Sequence, residues 1–418
     1  MMLKSKLLIL FSIILLTFLS FIIFLEGDFF YYKAKKFYNK LPGDVKSLVL
    51  LTLNKKSYEN IDNDYNVSFL PETEFINFNY QVKNLNFDNG IFDYSKRYTY
   101  YIDISEDNLI ITTQNGKFYR IRNEDVLSKE KNIKKEKLKT NINFSRILDS
   151  LIIDDKLYIS VARKFDKCEK LFIYVSQVDM QTENLDFKVL KKFEECNTKN
   201  IAGRMQPLNF QSKQGILIST GSRGGGMDYP GNYSQDDSSI FGKTLFIDLN
   251  SLKHFTFSTG HRNAQGLFVH ENKILLTEHG PKGGDELNQI FFGKNYGWPI
   301  SSYGKAYFTK ELKYKRSHLN YGFEEPIFSF VPSIGISELY LVPDDYNEDW
   351  KNSILITSLF GKAMYRLKFQ SNNYKKILYS EKIYIGQRTR DIKYLNKDKI
   401  FLLALETEGQ LGVLKKKD

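Results

Sequence analysis

Six times between residues 100 and 406 the chain repeats one short pattern, and that pattern admits few folds. Each unit is a polar turn, then a brief apolar run, then an exit of small residues. Asp107-Asn108 precedes LIITTQNG, Asp154-Asp155-Lys156 precedes LYISVA, and Lys213-Gln214-Gly215 precedes ILISTGS. Glu271-Asn272-Lys273 precedes ILLTEHG, Lys351-Asn352 precedes SILITSLFG, and Asn396-Lys397-Asp398 precedes KIFLLALE. Several units continue into a second strand-like run, such as KFYRI, KTLFIDL or AMYRLKF. The interval is irregular, roughly 45 to 80 residues, at or above the usual blade period. No long amphipathic helix competes with the pattern. Six strand units with no helical layer to cover them hide their sheet edges best in a closed ring. The repeat therefore predicts an all-β, six-bladed β-propeller, with residues 41–99 supplying outer strands and helping to close it.

The first residues differ from everything after them. Lys4 and Lys6 precede an uncharged apolar run from Leu7 to Leu25, ended by Glu26-Gly27-Asp28. That length can cross a hydrocarbon core as one helix, and no A-x-A-like cleavage site follows it. The expected division is one N-terminal transmembrane helix within residues 1–28 and a propeller over 29–418. A long cleaved signal peptide is the alternative. Lys33, Lys35, Lys36 and Lys40 compete with Lys4 and Lys6, so the lysines alone do not orient the span. The net charge of +11 is scattered. Its densest run, Lys129 to Lys139, contains glutamates and no aromatics, which marks a solvated loop rather than a nucleic-acid surface. No nucleic-acid partner is expected.

Cys168 and Cys196 are the only cysteines. Two strand-like runs lie between them, joined by a polar turn region around position 182. A hairpin centred there would set the cysteines across from each other, near disulfide distance, and an oxidising compartment would close the bond. Two unrelated buried thiols are the alternative.

Chemistry concentrates in residues 260–299, where seven glycines surround one short strand. Arg262-Asn263 precede that strand, Glu278-His279-Gly280-Pro281 follow it, and Asp285-Glu286 and Asn295-Tyr296-Gly297-Trp298-Pro299 come next. Glycine at this density means tight turns and close approach of backbone. The three segments GHRNAQGL, EHGPKGGDELN and GKNYGWP, in this order and spacing, resemble the glucose/sorbosone dehydrogenase family. The resemblance is strong from about residue 200 to 400. Members are six-bladed propellers that oxidise aldose sugars with pyrroloquinoline quinone (PQQ) and calcium, passing electrons to an external acceptor.

The resemblance implies a role for each matching residue. Arg262 and Asn263 would meet the quinone side of PQQ, Arg262 also serving catalysis. Arg388 and Arg390, in GQRTRDI, match the family's carboxylate clamp, and the guanidinium fork suits carboxylates. Tyr307 matches an aromatic near the ring. The Gly280 and Pro281 carbonyls match those that hold the calcium touching the cofactor, and oxygen donors suit that ion. Glu286 and the Tyr296 carbonyl match a second, structural calcium site. Family members are exported, which implies a single-pass protein of the inner (cytoplasmic) membrane with its propeller facing the periplasm.

Three positions depart from the family. Its general base is a histidine three residues before a Gly-Arg pair, and here Asn200 stands there, before Gly203-Arg204. An amide cannot take a proton from a sugar hydroxyl, and such help is worth roughly 10²–10⁴-fold. Phe144 aligns with a glutamine that contacts cofactor or substrate, and Phe360 with a lysine that some members use. Two readings follow: a PQQ- and calcium-dependent sugar dehydrogenase, or a catalytically impaired relative acting as a calcium-dependent binding module. A calcium-dependent hydrolase on a similar propeller lacks an evident nucleophile–base pair.

Overall fold

The computed structural model describes residues 78–87, 97–166, 168–179, 181–197, 201–222, 233–271, 273–305 and 314–416. The apolar run Leu7–Leu25 lies outside them. Among the described residues no helix is long and apolar enough to cross a membrane.

Among the described residues six sheets, antiparallel apart from one short parallel pair, follow one another along the chain, five of four strands and one of five. Their inner strands are Tyr100–Ser105, Ile147–Ile153, Ala202–Phe210, Ala264–His270, Ile336–Leu341 and Thr389–Leu395, numbered here as blades 1 to 6. These strands touch one another in a closed cycle, with blade 6 returning to blade 1. The expected six-bladed propeller is therefore the observed fold. The ring is closed by Phe78–Asn84, which pairs with Gln410–Lys416 from Phe78 opposite Lys416 to Asn84 opposite Gln410.

All six repeats recognised in the sequence become the second strand of a blade: Asn108–Thr113, Lys156–Phe165, Lys213–Thr220, Lys273–Glu278, Ser353–Ser358 and Ile400–Leu405. The first and the last two of these are buried at every residue. A strand packed on both faces reads as a continuous apolar run rather than an alternation. The polar turns have a backbone reason. Glu106, Asp154, Gln211, Glu271, Asn352 and Lys399, just before these strands, stand at φ between 49° and 52°. That left-handed conformation costs a residue with a Cβ roughly 1 kcal/mol or more, and short loops of solvated residues are where it is tolerated.

The core lies between blades. Leu148, Tyr158, Ile173, Met205, Ile216 and Leu245, for example, join blades 2 and 3. Cys168 opens the third strand of blade 2 and Cys196 lies near the end of its outer strand, Lys188–Asn197. A disulfide joins them, with Cα atoms 5.7 Å apart. The pairing is not perfectly symmetric: a bulge between Lys192 and Cys196 sets Cys196 opposite Lys170. The connection between the two strands also does more than turn. Its Asn184–Leu185 segment pairs in parallel with Lys139–Thr140 of blade 1.

Candidate functional site

In an antiparallel blade the start of the inner strand and the end of the second strand lie at the same end. This topology collects residues far apart in sequence at one mouth of the ring. Arg262-Asn263 precede the inner strand of blade 4, the Glu278–Gly284 turn follows its second strand, and Arg388–Arg390 open the inner strand of blade 6.

The blade 4 turn is folded back on itself. A Cβ on Gly280 would stand 2.1 Å from the Gly284 carbonyl oxygen, and one on Gly284 would stand 2.4 Å from the Gly304 nitrogen. Only glycine fits at either position. Asp285 fixes the turn, accepting the Gly280 N–H through Oδ1 at 3.0 Å. Its Oδ2 accepts the Ile334 and Ile336 N–H groups of the next blade, both at 3.0 Å. Asp285 is thus a framework residue.

Arg262 is anchored at both ends. Its N–H donates to Glu278 Oε2 at 2.6 Å, its guanidinium donates to the His279 carbonyl at 2.8 Å, and the same group lies 5.2 Å from the Trp298 ring centre. His279 Nε2 faces the Ile336 carbonyl at 2.7 Å, which assigns its proton to that nitrogen, and burial pushes its pKa down. The neutral ring then presents Nδ1 to the Asn263 amide, 3.5 Å away.

The two arginine-bearing motifs meet through Gln265, inside the first of them, and Glu406, which belongs to neither. Gln265 donates to Asn263 Oδ1 at 3.2 Å and accepts from Arg390 at 3.0 Å. Glu406, buried, takes the Nε–H of Arg388 at 2.6 Å and of Arg390 at 2.9 Å. Burial alone would raise the Glu406 pKa, but the two guanidinium groups prevail and hold it at about 2. One carboxylate between two cations leaves a net positive charge. Glu406 takes only the Nε edges, so the terminal nitrogens of Arg388 have no hydrogen-bond partner among the described residues. A donor set of this kind fits a polycarboxylate.

Glu286 and Tyr296 are both buried. The His318 ring stands between them: Nδ1 is 3.2 Å from the Tyr296 carbonyl oxygen and Nε2 is 3.5 Å from Glu286 Oε1. Beside this group, His261 Nδ1 faces Glu278 Oε1 at 3.1 Å. Asn200 and Tyr307 lie outside the described residues. The Gly203 that follows Asn200 is in tight contact, since a Cβ there would stand 2.8 Å from Leu148.

Phe144, aligned with a residue that contacts cofactor or substrate, is 6% exposed, and the rings of Tyr174 and Phe187 meet it edge-on at 5.2 Å. It packs in the core between blades 1 and 2. A phenyl ring gains more by burial than by exposure, whereas an amide at this position would favour the wet side. Phe360 does sit at the rim, 60% exposed, its N–H donating to the Ile334 carbonyl at 3.1 Å.

Sequence reasoning missed the axis of the ring. Asp103, Asp149, Arg204, Glu338 and Asp391, each on a different inner strand, are buried there. Arg204 donates to Asp149 at 2.8 Å and lies 3.3 Å from Glu338. It also donates to the carbonyls of Gln265 and Arg390 at 2.7 and 2.9 Å. Asp149 accepts the Met205 N–H, Asp391 the Ile102 N–H and Glu338 the Leu267 N–H, each from another blade. Burial pushes Asp103 up to about 7. This network ties the blades under the mouth. Its signal in the sequence is a charge set inside an apolar strand, as in YYIDIS and ISELYL.

Six blades closed around a charged axis, with a glycine-rich and arginine-lined mouth at one end, define the class: a six-bladed β-propeller. The chain belongs to the glucose/sorbosone dehydrogenase family, whose model matches residues 100–413. The aldose sugar dehydrogenase YliI of Escherichia coli (strain K12) is 30% identical over 180 residues, 42% of this chain and 48% of that protein. This chain spans less than half the length of the curated relatives it matches. A glucose dehydrogenase crystal structure superposes with a TM-score of 0.67 at 21% identity, covering 81% of this chain and 100% of that one. The PQQ-bound aldose sugar dehydrogenase of Streptomyces coelicolor superposes at 0.60 with 17% identity, covering 81% and 98%. These likenesses show the fold.

Proposed function

We propose that the propeller binds PQQ together with calcium at the mouth lined by Arg262, Asn263, Arg388 and Arg390, and that it acts on aldose-type sugars. The observation that carries this reading is the continuous polar chain Asn263–Gln265–Arg390–Glu406–Arg388, which joins the two arginine motifs into one anion-binding surface. Arg388 and Arg390 would hold the cofactor's carboxylates, with Glu406 fixing their Nε edges. Arg262 and Asn263 would face its quinone side, and the Gly280 and Pro281 carbonyls would hold calcium. When bound, this cofactor supplies a two-electron acceptor, so that a sugar hydroxyl carbon loses a hydride, its oxygen loses a proton, and the electrons pass to an external acceptor.

The chain's own proton chemistry is the weak half. Asn200 stands at the position of the general base and cannot accept the hydroxyl proton. That residue favours a second reading, a calcium-dependent binding module with little turnover. Reconstitution with PQQ and calcium, followed by aldose oxidation with an artificial electron acceptor, separates the two. The dehydrogenase reading expects slow turnover that Asn200→His raises by roughly 10²-fold or more with cofactor affinity nearly unchanged. No turnover in either form, with the cofactor demonstrably bound, supports the binding module. For localisation, anchoring through Leu7–Leu25 with the propeller facing the periplasm is part of the same proposal.

A further inference from the structure

Glu286 and the Tyr296 carbonyl are the two groups expected to ligate a second, structural calcium, and the structure presents them to an imidazole. His318 Nδ1 is 3.2 Å from the Tyr296 oxygen, at hydrogen-bonding range, so this nitrogen carries a proton. Nε2 is 3.5 Å from Glu286 Oε1, at ion-pair range. An ion shared by these oxygens would have to lie at about 2.3–2.6 Å from each, in the space between them where the ring stands.

The ring is held there from several sides. It is 1% exposed and packs 5.1 Å from the Tyr303 ring. A Cβ on Gly297 would come within 3.0 Å of its Nδ1, so the absent side chain makes room for it. The segment bearing His318 is fastened as well. Leu319 N–H and the Tyr303 hydroxyl both donate to Glu325, at 2.9 and 2.6 Å.

The space left around the ring is about one water in size: the cavity that His318, Glu286 and Tyr296 share with Arg262 and Gly280 measures about 10 Å³. Each buried carboxylate already faces an imidazole, Glu278 through His261 and Glu286 through His318. Among the described residues no group of three or more acidic, histidine or cysteine side chains could hold a metal.

We infer that the His318 side chain replaces the second calcium in this propeller, bridging Glu286 and the Tyr296 carbonyl in place of the ion. The framework between the Asp285 turn and the Tyr296 loop is then held by a resident side chain and does not depend on metal supply. This inference rests on the family reading of Glu286 and Tyr296, and is independent of whether PQQ binds.

The test is the number of calcium ions bound per chain, measured without PQQ by calorimetric titration and by metal analysis after gel filtration, on wild type, His318→Ser and Glu286→Gln. The His318→Ser variant should bind one ion more than wild type, and calcium should raise its melting temperature by more than it raises that of wild type. Glu286→Gln should match wild type in calcium content. Equal calcium content in wild type and His318→Ser would overturn the inference, as would loss of one ion in Glu286→Gln, which stands even if the serine variant does not fold. A failure of the cofactor reading would show differently, as calcium binding that PQQ does not enhance in any of the three proteins.

Discussion

Replacing Glu406 with glutamine tests whether the arginine pair is assembled by an internal carboxylate. In the native protein Glu406 receives the Nε–H groups of Arg388 and Arg390 at 2.6 and 2.9 Å and is fully buried. The two guanidinium groups hold its pKa at about 2, against an ordinary value of 4.5. At about 1.4 kcal/mol per pH unit this corresponds to roughly 3 kcal/mol of coupling. Because the folded-state pKa is depressed, the stabilisation is complete above about 4.5 and disappears as pH falls through about 2. The amide cannot supply it at any pH. Unfolding entropy of about 2.1 cal/mol/K per residue, over the ~340 residues from Phe78 to Lys416, gives ~0.7 kcal/mol/K, so the variant should melt about 4 °C lower at pH 7. Calorimetry between pH 7 and pH 2.5 should show that difference shrinking below about pH 4.5, where Glu406 of the unfolded wild-type chain takes up its proton. A variant that melts within about 1 °C of wild type at pH 7, or a gap that stays constant into acid, would refute the reasoning on coupling.

Three further outcomes follow from the structure. Replacing both Cys168 and Cys196 with alanine opens a closed loop of sequence separation 28 and should cost roughly 3–4 kcal/mol in denaturant unfolding; unchanged stability, or two freely alkylated thiols in protein from an oxidising compartment, would count against the bond. Phe144→Gln should destabilise by about 3–5 kcal/mol, the cost of losing a buried aromatic, with the urea midpoint as readout; native stability with altered sugar kinetics would return Phe144 to the mouth. Full-length protein should stay with membranes after a carbonate wash and be released by deletion of residues 1–28, whereas recovery of a mature chain beginning after residue 25 would identify a cleaved signal.

The fold was legible because the second strand of each blade is sandwiched between neighbours. Runs such as ILL and IFLLAL show their full burial as unbroken apolar sequence, and the polar residues before them mark turns with left-handed backbone. The inner strands were harder to read, since Asp103, Asp149, Arg204, Glu338 and Asp391 interrupt their apolar pattern to meet at the axis. Their partners come from other blades, so no local spacing announces them. The same limit applies at the mouth. Arg262, Asn263, Arg388 and Arg390 were recognisable by motif, but the motif around Gln265 does not show that it meets Arg390, and Glu406 is a single residue just after an ordinary strand. His318 lies in a segment with no motif, and its relation to Glu286 and Tyr296 exists only in three dimensions. Phe144 shows the converse: it is aligned with a polar position of the family, and its own chemistry buries the ring in the core.

The central claim is that this mouth seats a calcium-dependent polycarboxylate cofactor. Titration of PQQ into the purified protein, followed by absorbance with calcium, with chelator, and for Arg388→Ala with calcium, tests it most directly. The account predicts tight binding only with calcium. It also predicts an affinity lower by roughly 10- to 150-fold in the variant, the loss of one charge-assisted partner worth about 1.5–3 kcal/mol. Binding that ignores the chelator, or an Arg388→Ala variant with wild-type affinity, would contradict it.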